Sequence, residues 1–179
     1  MIVSANQRGS QMARAGTDDI ATSSCGNSLD GKLCLQLESN SDCIDVLRSM
    51  VTVMTARAAM SDLRSNRVAI AVDELFANIA AHAYGGDPGK VEFETAIYSE
   101  NEDQMLIFDF RDYAPVCWHG DIDKITSQPL DIEHLCPGGL GLRLIHSVAD
   151  CCEHNVLENG NHWRLIFNIG DGENDECSA

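Results

Sequence analysis

The chain reads as an α+β protein: a two-layer α/β sandwich in which a mostly antiparallel sheet carries its helices on one face. Three observations predict this. Two helical patterns stand next to each other, over 43–60 and 63–84. Two pairs of strand-like runs follow, each pair joined by a short polar stretch. The resulting order is strand, two helices, two strands, a long loop, a helix and two strands, which lacks the strand–helix alternation of a doubly wound sheet.

Residues 1–31 are rich in Ser, Gly, Asn, Gln and Asp and show no apolar period, so they read as a mobile tail. KLCLQLE (32–38) alternates apolar and polar positions like a half-buried strand. SNSD then offers helix N-cap residues, and Ser61 with Asp62 punctuates the two helices. In the second helix Val68, Val72, Leu75 and Ile79 form an apolar stripe that should face the core, and Gly85, Gly86 and Pro88 end the pattern. VEFETAIYS and QMLIFDFRD, separated by ENED, predict a hairpin. Residues 113–137 are irregular and carry Pro115, Gly120, Pro129 and Pro137; a loop of that length is a functional lid or a disordered stretch. Leu142, Ile145 and Val148 recur at helical spacing, and a last hairpin turns around Glu158, Asn159, Gly160 and Asn161. One domain, 32–170, is therefore expected, with a second tail at 171–179.

With 44% hydrophobic and 22% charged residues in 179, the composition suits a single globular domain. Twelve Lys and Arg against 28 Asp and Glu give a net charge of -16, which repels a nucleic-acid backbone and excludes DNA or RNA as the primary partner. The same excess serves solubility, or steers a basic protein partner. No stretch has the roughly 18 apolar residues that cross a bilayer, and the first residues lack the apolar centre of a secretion signal. A cytoplasmic protein is expected. The eight cysteines show no CxxC pair and no framework spacing, so they read as small core hydrophobes. Cys151 and Cys152 with His154 leave a thiol or metal site as the competing reading.

Three short segments carry chemistry. In DELFANIAAHAY, Glu74, Asn78 and His82 recur every fourth residue, placing a carboxylate, an amide and an imidazole along one helix face beside the apolar stripe. An amide oxygen suits magnesium, and a carboxylate one turn away can accept a proton from an attacking hydroxyl. Taken alone, the same spacing is also the wet side of an amphipathic helix. Gly138, Gly139, Leu140, Gly141 and Leu142 open a helix, where bare backbone N–H groups cradle phosphate; a hinge or a plain helix start is the alternative. Asp112 ends a strand, where its carboxylate can accept a hydrogen bond from an exocyclic amine or can simply be a solvated turn residue.

Taken together, these segments resemble the GHKL ATPase superfamily, the Bergerat fold, and within it the small anti-sigma factor serine/threonine kinases. The resemblance covers about 32–169 in element order and rests on Glu74–Asn78–His82–Ala83–Tyr84, on Asp112 and on Gly138–Leu142. It implies ATP and Mg2+ as cofactors, Asn78 as the magnesium ligand, Glu74 as catalytic base, and Asp112 with Ala114 on the adenine side. Gly138, Gly139, Leu140, Gly141 and Leu142 would hold the phosphates, with Arg143 within reach of them and His82 packing or capping. It also implies an anti-sigma-factor antagonist and a sigma factor or similar regulator as protein partners, and a homodimer as a candidate assembly. One departure stands out: Ala114 and Val116 occupy positions where the family pattern Asp-x-Gly-x-Gly has glycines. The competing expectation is a non-catalytic regulatory binding module on the same fold. No pair of dimerisation helices bearing a phosphorylatable histidine precedes the domain, which argues against a self-contained sensor histidine kinase.

Overall fold

A computed structural model describes residues 28–100, 103–115, 118–120, 122–127 and 140–170. Its elements are β1 (Ser28–Glu38), α1 (Ile44–Arg57), α2 (Asp62–Asn78), β2 (Lys90–Glu100), β3 (Asp103–Asp112), α3 (Ile122–Ser127), α4 (Gly141–Val148), β4 (Cys151–Leu157) and β5 (Gly160–Ile169). The five strands form one sheet in the order β1-β2-β3-β5-β4, and every neighbouring pair is antiparallel. This is the expected α+β arrangement.

The period-2 alternation of the strands decides where the core lies. Leu37, Val91, Phe93, Ile97, Leu106, Phe108, Phe110, Trp163, Leu165 and Phe167 are all buried and join one apolar cluster. The helices close over that face: Leu47, Val51 and Met54 of α1, Val68, Val72, Leu75 and Phe76 of α2, and Ile145 of α4 belong to the same cluster. The predicted stripe of α2 is therefore its buried side. On the other face of the sheet Asp109 bridges His162 at 2.7 Å and Arg164 at 2.8 Å. Burial pushes the Asp109 carboxyl up, but the hydrogen bonds from His162 and Arg164 outweigh it and hold it below its usual value. Among the described residues no helix is long and apolar enough to cross a membrane.

Several boundaries differ from expectation. β1 begins at Ser28, inside the stretch read as tail, because a bulge between Asp30 and Leu33 interrupts the alternation that would have revealed it. Part of the supposedly irregular 113–137 stretch is the short helix α3, whose Ile122 packs against the core. The rest of the N-terminal tail and the whole of 171–179 lie outside the described residues, as do Cys25, Cys117, Cys136 and Cys177. Helix α2 starts as expected, with Ser61 extended and its hydroxyl accepting the Arg64 N–H at 3.3 Å.

Helix α1 stops three residues before the expected Met60, and its end has a specific cause. The Ala59 N–H donates to the Ala56 carbonyl and the Met60 N–H to the Thr55 carbonyl, both at 3.1 Å, with Ala59 at φ 51°. That is the hydrogen-bond pattern of a Schellman cap, with alanine where glycine is usual. A left-handed alanine costs about 1–2 kcal/mol, partly offset in glycine by its freer unfolded chain. Ala59→Gly is expected to raise stability by about 0.5–1 kcal/mol, read as a higher midpoint in urea at an unchanged slope.

Candidate functional site

Burying the apolar stripe of α2 turns Glu74 and Asn78 toward its flank, where both are half-buried one turn apart. Helix α4 packs against α2 there. Its first residue, Gly141, is buried, and a Cβ at that position would overlap the Glu74 carboxylate and approach Asn78 Nδ2 to 2.8 Å. Only glycine lets the start of α4 come this close to both side chains. Asn78 Nδ2 is buried and has no hydrogen-bond partner among the described residues. An orphaned amide of this kind costs about 1–3 kcal/mol, which marks a place where a ligand or water completes the structure.

The start of α4 carries no side-chain cap: Leu140 holds the cap position with helical backbone angles and an exposed side chain. Leu142 packs against the core, and Arg143 lies half-buried on the same helix. Gly138 and Gly139 lie outside the described residues. His82 departs from its expected packing or capping role. After Asn78 the chain continues as a π-helical turn, Ile79–Ala83, which is wound less tightly than an α-helix, so the Glu74–Asn78 line is not extended and His82 is exposed. Tyr84 closes that turn. Its hydroxyl donates to the Lys90 carbonyl and accepts the Tyr113 N–H at 2.9 Å, tying the end of the α2 segment to the residue after Asp112.

Asp112 forms a second cluster at the end of β3, on the helix-covered face, and is 0% exposed. Its Oδ1 accepts N–H groups from Ala114 at 3.2 Å and Asn161 at 3.1 Å, and Asn161 Nδ2 reaches both carboxylate oxygens, at 3.0 and 3.2 Å. Gly160, at φ +106°, is what allows β5 to begin against this carboxylate: a Cβ there would strike the Asp112 carbonyl. Ala114 is 2% exposed and is not among the residues at positive φ, so alanine meets no backbone penalty at a position where the family pattern has glycine. Val116 lies outside the described residues.

Three residues were not linked to Asp112 by the sequence: Asn161, read as part of a hairpin turn, His154, read beside Cys151 and Cys152, and Trp118. The Asn161 Oδ1 accepts the Trp118 N–H at 3.0 Å and lies 3.1 Å from His154 Nε2. The His154 ring sits 4.1 Å from Trp163 and 5.0 Å from Trp118, and the two indoles are 5.2 Å apart. The one signal in the sequence is alternation: Asn161, Trp163, Leu165 and Phe167 share a face, and a polar residue on an apolar face demands partners. Cys34, Cys43, Cys151 and Cys152 are free thiols, and among the described residues no three His, Cys, Asp or Glu side chains gather around a metal position.

The chain is similar in sequence to known proteins. The sequence pattern of the histidine kinase-like ATPase domain matches residues 37–167. The serine-protein kinase RsbW of Bacillus cereus (strain AH187) is 25% identical over 124 residues, covering 66% of this chain and 74% of that protein. The serine-protein kinase RsbW of Bacillus anthracis (strain CDC 684 / NRRL 3495) is 26% identical over 125 residues, with the same coverage.

Burial sets the electrostatics of the Asp112 cluster. Burial raises the Asp112 carboxyl above its usual value, against the hydrogen bonds from Asn161 and Ala114. Burial likewise lowers His154, against the pull of Asn161 and the Asp112 charge. An unfolded chain protonates this histidine near pH 6.5, whereas the folded one resists until lower pH, so the stability tied to a neutral His154 is present above 6.5 and lost as the pH falls. The melting temperature is expected to drop less between pH 7 and pH 5 in a His154→Gln variant than in the wild type, as read by calorimetry at a series of pH values.

Proposed function

The chain belongs to the family of histidine kinase-like ATPase domains, and from that footing we propose that it binds magnesium-ATP between α2 and α4 and acts as a serine/threonine protein kinase. The substrate in this reading is an anti-sigma-factor antagonist, and the regulated partner is a sigma factor or similar regulator in the cytoplasm. The observation that carries the reading is the Asn78 amide, buried and without a partner among the described residues, beside the Glu74 carboxylate where Gly141 makes room. The similar RsbW proteins, which are serine-protein kinases by name, support the choice of reaction.

The residues present fit a nucleotide and its metal. Asn78 Nδ2 and Oδ1 exchange places by rotation of the amide, which turns a hard neutral oxygen toward the gap. The uncapped N–H groups at the start of α4 face negative charge favourably. Bound magnesium supplies neutralisation of the phosphate oxygens. Glu74 accepts the proton of a serine hydroxyl as its oxygen bonds to the terminal phosphorus. The bond from that phosphorus to the bridging oxygen breaks, and the leaving diphosphate keeps the electron pair.

A second reading, a regulatory binding module with weak or no ATP turnover, is favoured by Asp112. Its carboxylate is fully enclosed and already bonded to Asn161 and Ala114. Calorimetric titration with ATP and magnesium separates the two readings, since the module reading expects no saturable heat at millimolar nucleotide. For the kinase, Asn78→Ala is expected to weaken magnesium-dependent ATP binding by about tenfold or more, one lost ligand or hydrogen bond at the phosphates. Glu74→Ala should keep that affinity while slowing phosphotransfer by about 100- to 10,000-fold. Wild-type transfer rates in the Glu74→Ala protein would remove Glu74 from the chemistry.

A further inference from the structure

Helix α4 is too small to fix its own position. It buries one large side chain, Ile145, with Leu142 and Val148 partly buried beside it, and an isolated helix shorter than about 12–15 residues is marginal in water. Its placement depends on what holds its two ends. At the start, Gly141 lies against Glu74 and Asn78. At the other end, Asp150 occupies the corner between α4 and β4, and that corner is pinned to β5: the Asp150 N–H donates to the Ile166 carbonyl at 3.0 Å, and Asp150 Oδ2 accepts the Asn168 N–H at 2.7 Å. Arg64, in the first turn of α2, ties this corner to α2. Its Nη2 donates to Asp150 Oδ2 at 3.1 Å and to the Asn168 carbonyl at 2.8 Å. The backbone of Arg64 is itself held, because its N–H is the one that the Ser61 hydroxyl caps. Arg64 and Asp150 are 32% and 35% exposed, and the arginine also bonds to a strand carbonyl, so the contact is more constrained than a free surface ion pair.

We propose that Arg64 is a positioning residue: by fastening the corner after α4 to α2, it sets the distance at which the start of α4 faces Glu74 and Asn78. The proposal rests on the nucleotide reading of that site. Arg64 lies about 15 Å before Glu74 along α2, and the eight residues of α4 span about 12 Å. Helix α4 therefore runs antiparallel to α2 and is attached to it near both ends. Arg64 acts through α4, at the end remote from Gly141. Released at that corner, α4 can shift away from α2, and a small displacement of the N–H groups at its start is enough to weaken their hold on a phosphate.

The test makes two measurements on wild type, Arg64→Met and Arg64→Lys. One is hydrogen exchange, without nucleotide, at the Leu144 amide, which donates to the Leu140 carbonyl at 2.9 Å in the first turn of α4. The other is calorimetric affinity for magnesium-ATP. Methionine keeps most of the aliphatic stem and removes the donors. It should speed exchange at Leu144 and weaken magnesium-ATP binding, each by about tenfold or more, as expected for losing hydrogen bonds made by a charged group. Both bonds of Arg64 leave from one nitrogen, and a lysine ammonium carries three donors on one nitrogen, so Arg64→Lys should stay within about threefold of wild type in both measurements. Asp150→Asn keeps an acceptor for the Asn168 N–H and removes the charge facing Arg64. It should move both measurements in the same direction as Arg64→Met, and it covers the case in which the methionine variant does not fold. A lower urea midpoint in Arg64→Met, with Leu144 exchange and ATP affinity unchanged, makes the contact a structural ion pair only and overturns the proposal. Lysine that fails to rescue, or faster Leu144 exchange at unchanged ATP affinity, overturns the positioning role as well. Wild-type protein that binds no magnesium-ATP sinks the proposed function, and Leu144 exchange then still decides whether Arg64 anchors α4.

Discussion

Everything in this molecule follows from the burial of one side of α2 against the sheet. Val68, Val72, Leu75 and Phe76 are at or near zero exposure and lock the rotation of the helix about its axis. Each such side chain contributes about 1.5–3 kcal/mol on leaving water, far more than any polar contact on the flank. With the rotation fixed, Glu74 and Asn78 have no choice of direction. Helix α4 then packs against that flank through Gly141, so a hydrophobic decision sets where these polar side chains meet it.

Much of this was legible in the sequence, and unevenly so. The α2 stripe and the β2–β3 hairpin follow regular periods, and both were readable because one apolar face was being buried in a regular element. What escaped was irregular or non-local. The bulge near Gly31 broke the alternation of β1, the π turn removed His82 from a line that spacing alone extends, and α3 is one short helix inside a proline-bearing loop. The end of α1 was misplaced because its left-handed residue is alanine, not the glycine that normally announces a stop. Asn161, Trp118 and His154 meet only after strands distant in sequence have paired, and no local pattern encodes that meeting.

The two halves of the candidate site are built on opposite principles. Around Glu74 and Asn78 a buried polar atom has no partner among the described residues. Around Asp112 the polar atoms are bonded to one another inside an aromatic wall of Trp118, His154 and Trp163, which fixes geometry before any ligand arrives. The alanine at 114 belongs to the second half, where its N–H, rather than the space a glycine would leave, is what Asp112 uses.

Tyr84 joins these halves with a single oxygen, and this gives the domain a mechanical property. The phenol is wedged against Gly89, where a side chain would overlap its ring, and it holds both the start of β2 and the residue that follows Asp112. The far end of the α2 segment is thus bolted to the rim of the sheet instead of hanging free. A tilt of α2 that shifts Asn78 must stretch that bolt or drag the Asp112 corner along. The Asn78 side and the Asp112 side of the candidate site therefore behave as one stiff jaw.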